Sequence, residues 1–231
     1  MTLARRLAAE AVGTGLLLAT VIGSGIMGER LAGGNTAIAL LANTLATGAG
    51  LAAYILIFRP VSGAHFNPLV TLTEALHRRL AWRDTPAYIG AQLAGAFAGV
   101  ATAHLMFGEP LFSAAQQART GTAQMWSEFV ASFGLLSVIL GASRAQAAAL
   151  PYVVGAYIAA AYWFTASTSF ANPAVTLARA ASDSFAGIRP QDVPGFVLGQ
   201  LLGAGAAFLF WRWLIPAKHR AAGRGTGARL H

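Results

Sequence analysis

Six stretches of the chain are apolar almost without interruption, at about 4–27, 35–58, 85–107, 123–142, 148–168 and 194–215, with polar residues gathered between them. Each is near the ~20 residues a helix needs to cross the hydrocarbon of a bilayer, so the pattern predicts six spanning helices. Two more apolar pieces, starting at Asn67 and Asn172, are too short to cross and read as half-helices dipping in from opposite sides. Irregular backbone at that depth is tolerated only where it lines a cavity or is buried in protein. Both pieces open alike, as His65-Phe66-Asn67-Pro68-Leu69-Val70-Thr71-Leu72 and Phe170-Ala171-Asn172-Pro173-Ala174-Val175-Thr176-Leu177. Asparagine is a good N-cap because its side-chain oxygen accepts a first-turn N–H, and proline suits the next position because its missing N–H needs no partner. One Asn-Pro pair reads as a turn. Two copies, each followed by Val-Thr-Leu and flanked by spans, point to a pore.

Composition agrees with a membrane chain: 56% of the 231 residues are hydrophobic and 10% charged, with a mean hydropathy of +0.57. The net charge of +8 is distributed by topology. With the N-terminus inside, Arg5, Arg6, Arg59, Arg78, Arg79, Arg83, Arg144, Arg212, Lys218, Arg220, Arg224 and Arg229 fall on the cytoplasmic side, leaving Arg30, Arg119, Arg179 and Arg189 outside. Both termini are therefore expected on the cytoplasmic side of the membrane. Anionic lipid is the natural partner of this charge, and nucleic acid is not. Glu10 inside the first apolar run argues against a cleaved signal peptide. There is no cysteine, hence no disulfide framework or thiolate metal site. No metal site, cofactor or catalytic set is expected.

The chain reads as an internal duplication. Ala91-Gln92-Leu93-Ala94-Gly95-Ala96 is echoed by Gly199-Gln200-Leu201-Leu202-Gly203-Ala204, and Glu10 by Glu128. With the Asn-Pro pair, this makes two repeats of three spans plus a half-helix, at 1–115 and 120–216. A basic tail at 217–231 is expected to be disordered. An odd number of spans per repeat inverts the second, so the half-helices meet N-terminus to N-terminus. The pairs Gly95–Gly99 and Gly199–Gly203 are small-residue faces for close packing of the third and sixth spans.

On these residues, together with Ser62-Gly63-Ala64-His65 and Glu10-x-x-Gly13-Thr14, the chain resembles the aquaporin and aquaglyceroporin family over nearly its whole length. The resemblance implies an all-α membrane fold of six spans and two re-entrant half-helices, a homotetramer with a pore in each subunit, and passive conduction of small neutral solutes such as water, glycerol or arsenicals. In physical terms, the half-helices aim their positive ends at the channel centre, where the amides of Asn67 and Asn172 can donate to a passing oxygen.

Two departures from the family pattern bear on selectivity. The filter arginine expected after the second motif is replaced by Val175, and the other filter positions carried over by spacing are Thr47, Ala160 and Ser169. That ring is small, neutral and free of aromatics, which favours a solute larger and less polar than water. Bacterial relatives with valine here resemble channels for metalloid hydroxides, which puts arsenite or methylated arsenicals first, glycerol and similar small solutes beside them, and a water-selective pore as the weaker alternative. The second departure is Leu69 in place of alanine, either a bulky wall at the centre or a side chain packed outward.

Several charged residues carry two readings each. Arg179, one turn beyond Val175, either supplies charge at the outer mouth or snorkels to the interface. Glu74 holds the equivalent place in the first half-helix. Glu10 and Glu128 either couple protons or accept hydrogen bonds that hold the half-helix lead-ins. His65 either lines the inner vestibule or bonds loop backbone. A secondary transporter also uses inverted repeats, but should show a further acidic cluster at the midplane. An enzyme is disfavoured by the absence of any nucleophile-base-acid grouping.

Overall fold

In the computed structural model of the chain, residues 1–215 are described, so the basic tail lies outside them. The described residues form eight α-helices: α1 Leu3–Leu31, α2 Thr36–Ser62, α3 Pro68–Leu76, α4 Thr85–Phe107, α5 Thr122–Ala145, α6 Leu150–Phe164, α7 Pro173–Arg179 and α8 Val193–Leu214. Short 3-10 turns lead into α4, α6 and α8, and among the described residues there is no strand. Six of the helices are long and apolar enough to cross a membrane. The two others, nine and seven residues long, rise only about 14 and 11 Å, less than half of a ~30 Å hydrocarbon layer.

Local chemistry explains the ends. Thr2 caps α1 by accepting Arg5 N–H, and Asn35 caps α2 by accepting the N–H groups of Ala37 and Ile38. Helix α2 stops at Gly63, whose φ of 97° is a left-handed conformation that glycine adopts without steric cost. Helix α6 ends at Phe164, four residues before its apolar run does. From Thr165 to Ala171 the chain instead turns inward, with positive φ at Thr168, Ser169 and Ala171, and the equivalent residues Ala64 and Phe66 do the same before α3. Such angles are strained for residues with a Cβ, so surrounding groups must hold them.

Helix α1 packs on α2 and α4, α5 on α8 and α6, and α2 meets α6 across the centre. The crossings are backbone-close. A Cβ at Gly95 would collide with the carbonyl of Ala11, and one at Gly203 with the carbonyl of Phe129, so each repeat packs its third span on its first at a corresponding residue. The half-helices wedge between these pairs, α3 against α4 and α8, and α7 against α4 and α8. The fold is an all-α, inverted-repeat membrane architecture with a cavity where the two halves face each other.

Candidate functional site: a pore through the centre

Each Asn-Pro motif closes its own helix start and locks the other. Asn67 Oδ1 accepts Leu69 N–H at 2.9 Å, and Asn172 Oδ1 accepts the N–H groups of Ala174 at 3.0 Å and Val175 at 3.3 Å. Pro68 and Pro173 occupy the first helical positions, where no N–H is needed. The amide nitrogens reach across: Asn67 Nδ2 donates to Ala171 O at 2.7 Å, and Asn172 Nδ2 to Phe66 O at 2.8 Å. A carboxamide nitrogen carries two N–H groups, so this cross-clamp uses one on each asparagine and leaves one. Both asparagines line the central cavity.

The strained lead-ins behind the asparagines hang on two buried carboxylates. Glu10 accepts from Ser62 Oγ at 2.6 Å and from the N–H groups of His65 at 2.9 Å and Phe66 at 2.8 Å. Gln92 Nε2 joins Glu10 at 2.8 Å and also donates to Thr71 Oγ1 at 2.8 Å. The second repeat duplicates the device: Glu128 accepts from Phe170 N–H at 2.9 Å, Ala171 N–H at 2.8 Å and Gln200 Nε2 at 2.6 Å, while Gln200 also donates to Thr176 Oγ1 at 2.8 Å. Both carboxylates are completely buried and neither lines the cavity. The geometry is that of loop clamps, with the acceptors turned away from any solute path.

The central cavity, about 400 Å³, runs from Arg59, Glu74, Arg79 and Arg144 at the N-terminal end of the molecule, past His65 and the two asparagines, to Thr47, Tyr162, Ser169, Val175 and Arg179. Apolar side chains of α1, α2, α5 and α6, among them Leu17, Leu51, Leu135 and Val154, form much of its wall. A second cavity of about 430 Å³ opens at the opposite end, bounded by Asn43, Gln117, Arg119, Trp163, Thr168 and Phe185 among others. Arg179 is the residue that walls both.

Three of the four filter positions carried over by spacing line the cavity: Thr47, Ser169 and Val175. Ala160 does not. It is exposed on the outer face of α6, whose inward stripe is Val154, Ile158 and Tyr162. Positions i and i+2 on a helix are about 200° apart, so an alanine two positions from an inward Ile158 must point away. Counting back from Asn172 crosses the irregular segment at 165–171, which fixes no helical rotation. Tyr162 takes its place, donating its hydroxyl to Thr47 Oγ1 at 3.3 Å. The cavity wall beside Thr47 is thus not free of aromatics, contrary to the expectation from spacing. A stripe at i, i+4 and i+8 in the sequence carried the signal for Tyr162.

Leu69 packs outward, 1% exposed, against Leu136, Ala204 and Ala207, and is absent from the cavity wall. Its neighbour Val70 lines the cavity instead. Pro68, Pro173 and Ala174 are buried beside the asparagines and shape the half-helices rather than the lumen. His65 lines the cavity between Arg59 and the two asparagines and also bonds locally, with Nδ1 3.1 Å from Thr71 Oγ1 and its ring against Tyr88. Arg179 does not snorkel: it is 2% exposed, its Nε–H donates to Ala186 O, and its guanidinium carbon sits 3.3 Å from the centroid of the Phe170 ring. Among the described residues no group of three or more His, Cys, Asp or Glu side chains could hold a metal ion.

A multi-pass helical membrane protein with paired half-helices around a central cavity is a channel architecture. The chain matches the family described as Major intrinsic protein over residues 1–166, and it belongs to that family. It is 57% identical to the aquaglyceroporin AqpS of Rhizobium meliloti (strain 1021), over 94% of this chain and 93% of that protein. It is 32% identical to the aquaporin NIP6-1 of Arabidopsis thaliana, over 89% of this chain and 68% of that one. The X-ray structure of the aquaglyceroporin from Plasmodium falciparum shares the fold, with a TM-score of 0.71 at 22% identity, over 91% of this chain and 96% of that chain. Members of this family are channels and not enzymes.

Proposed function

We propose that the chain is a passive channel for small uncharged polyhydroxy solutes, with glycerol and metalloid hydroxides such as arsenite or its methylated forms as the class conducted. The observation that carries this reading is the cross-clamp of Asn67 and Asn172 at mid-cavity, which leaves one N–H of each amide for a solute oxygen. The half-helix dipoles put positive potential at the same place, which disfavours cations while offering donors to a neutral hydroxyl. Largely apolar walls beyond the asparagines suit a solute with one hydroxylated and one apolar edge. The kinship with an aquaglyceroporin supports glycerol as the first solute to test. The same reading takes the functional unit to be a homotetramer in a bacterial inner membrane, with the arginine-rich N-terminal end in the cytoplasm.

The test is stopped-flow uptake into proteoliposomes, with glycerol, arsenite and water compared. Glycerol and arsenite entry well above empty liposomes is expected, with no acceleration by solute on the far side. Water flux with neither solute would establish a water-selective pore instead. Trans-acceleration would establish a carrier.

A further inference from the structure

Val175 stands where the family resemblance calls for arginine, and it offers the cavity only an isopropyl group. One turn on, at i+4, Arg179 lies on the same face of α7, buried and walling both cavities. We propose that Arg179 is the selectivity-determining cation of this pore, displaced one helical turn along α7 and held in position by the Phe170 ring and the Ala186 carbonyl. The inference rests on the channel reading above and names the residue that sets its specificity.

The holding is specific. Arg179 Nε–H donates to Ala186 O and the guanidinium plane lies over Phe170. A second guanidinium, that of Arg119, lies over the same ring with its carbon 5.0 Å from the centroid. Arg119 is itself anchored, donating to Gly187 O at 2.8 Å and Ser167 O at 3.2 Å. Phe170 is kept in place by its own N–H on Glu128 and by an edge contact with Phe196, ring centroids 5.0 Å apart. A flexible side chain is thereby preorganised, and its planar fork loses little further entropy when it meets a solute.

What the arginine leaves free is as informative. Among the described residues Nε is the Arg179 nitrogen with a protein acceptor, so its four terminal N–H groups remain for the passage between the cavities. Around that passage stand the Tyr162 and Thr47 hydroxyls and Ser169, whose Oγ is buried and has no partner. Val175 and Ile158 supply apolar wall to the same cavity. Such a ring stabilises a neutral solute with adjacent hydroxyls, and its permanent positive charge excludes protons and metal cations.

Three variants in proteoliposomes separate the roles, read as glycerol flux, water flux and proton leak under an imposed potential. Arg179→Met keeps a long stem but removes charge and donors. Its glycerol-to-water ratio falls roughly tenfold, the factor attached to one hydrogen bond from a charged donor, and its proton leak rises above wild type. Arg179→Lys keeps the charge without the stacked fork, so glycerol flux falls while the leak stays at the wild-type level. Phe170→Leu leaves Arg179 intact but unpinned and lies between wild type and Arg179→Met in both readouts, which keeps the test open should Arg179→Met fail to fold. Wild-type ratio and leak in all folded variants would overturn the assignment of Arg179 alone. A wild type that conducts no solute would overturn the channel reading and this inference together.

Discussion

A buried carboxylate is costly unless hydrogen bonds replace its hydration, and Glu128 meets that need with two backbone N–H groups and the Gln200 amide. In return those bonds hold Ala171 at a φ of 46°, which puts its carbonyl in reach of Asn67 Nδ2. Glu128→Ala leaves buried donors without partners, each costing about 1–3 kcal/mol. A clear fall in melting temperature in detergent is the expected result, together with loss of solute flux. Glu128→Gln keeps an acceptor oxygen but turns an NH2 toward a donor, and it should melt between wild type and Glu128→Ala. Because Glu10 repeats the arrangement at His65 and Phe66, Glu10→Ala should behave alike. Identical melting of all the proteins would show that the lead-ins are held by something else.

Among elements, the helix pairs α1/α4 and α5/α8 depend on missing side chains. Lipid gives no hydrophobic drive for helix association, so close van der Waals packing and interhelical hydrogen bonds must supply it. Gly95 and Gly203 allow that approach, because a Cβ at either would meet carbonyl backbone that cannot move aside. Gly95→Val and Gly203→Val should therefore push the spans apart and yield aggregated protein on size-exclusion chromatography. Gly90→Ala and Gly205→Ala are the controls on the same helices, since a Cβ there meets no atom within 4 Å. These controls should fold normally and gain up to about 1 kcal/mol of helix propensity. The glycine spacing in the sequence showed which helix faces pack closely. It did not show the partner carbonyls, which depend on how far each helix slides along its neighbour.

For the molecule as a whole, the chain alternates ends span by span, so residues 77–84 and residues 108–121 emerge at opposite ends. The orientation proposed above puts the first of these, the arginine-rich one, in the cytoplasm. Because the chain has no native cysteine, single replacements report sidedness directly. In inside-out vesicles Arg83→Cys should react with an impermeant maleimide and Ala118→Cys should not, both positions being exposed. In intact spheroplasts the order should reverse. Labelling of both from one side would contradict this orientation.

Six spans, two half-helices and their duplication were legible in the sequence because each rests on something local: run length, an Asn-Pro cap, and matched Glu and Gln residues whose partners are the neighbouring loops. The central asparagines were legible for the same reason. What the sequence could not carry is rotation and depth. Whether Ala160 or Tyr162 faces the lumen depends on how α6 turns about its axis, and the irregular residues 165–171 between it and Asn172 transmit no helical phase. Leu69 faces α5 and α8 because α3 wedges against α8, a contact made by residues more than a hundred positions away. Arg179 is buried rather than snorkelling because Phe170 and Ala186 close over it. Spacing along one helix determines which residues share a face, while only the packed tertiary structure decides what that face meets.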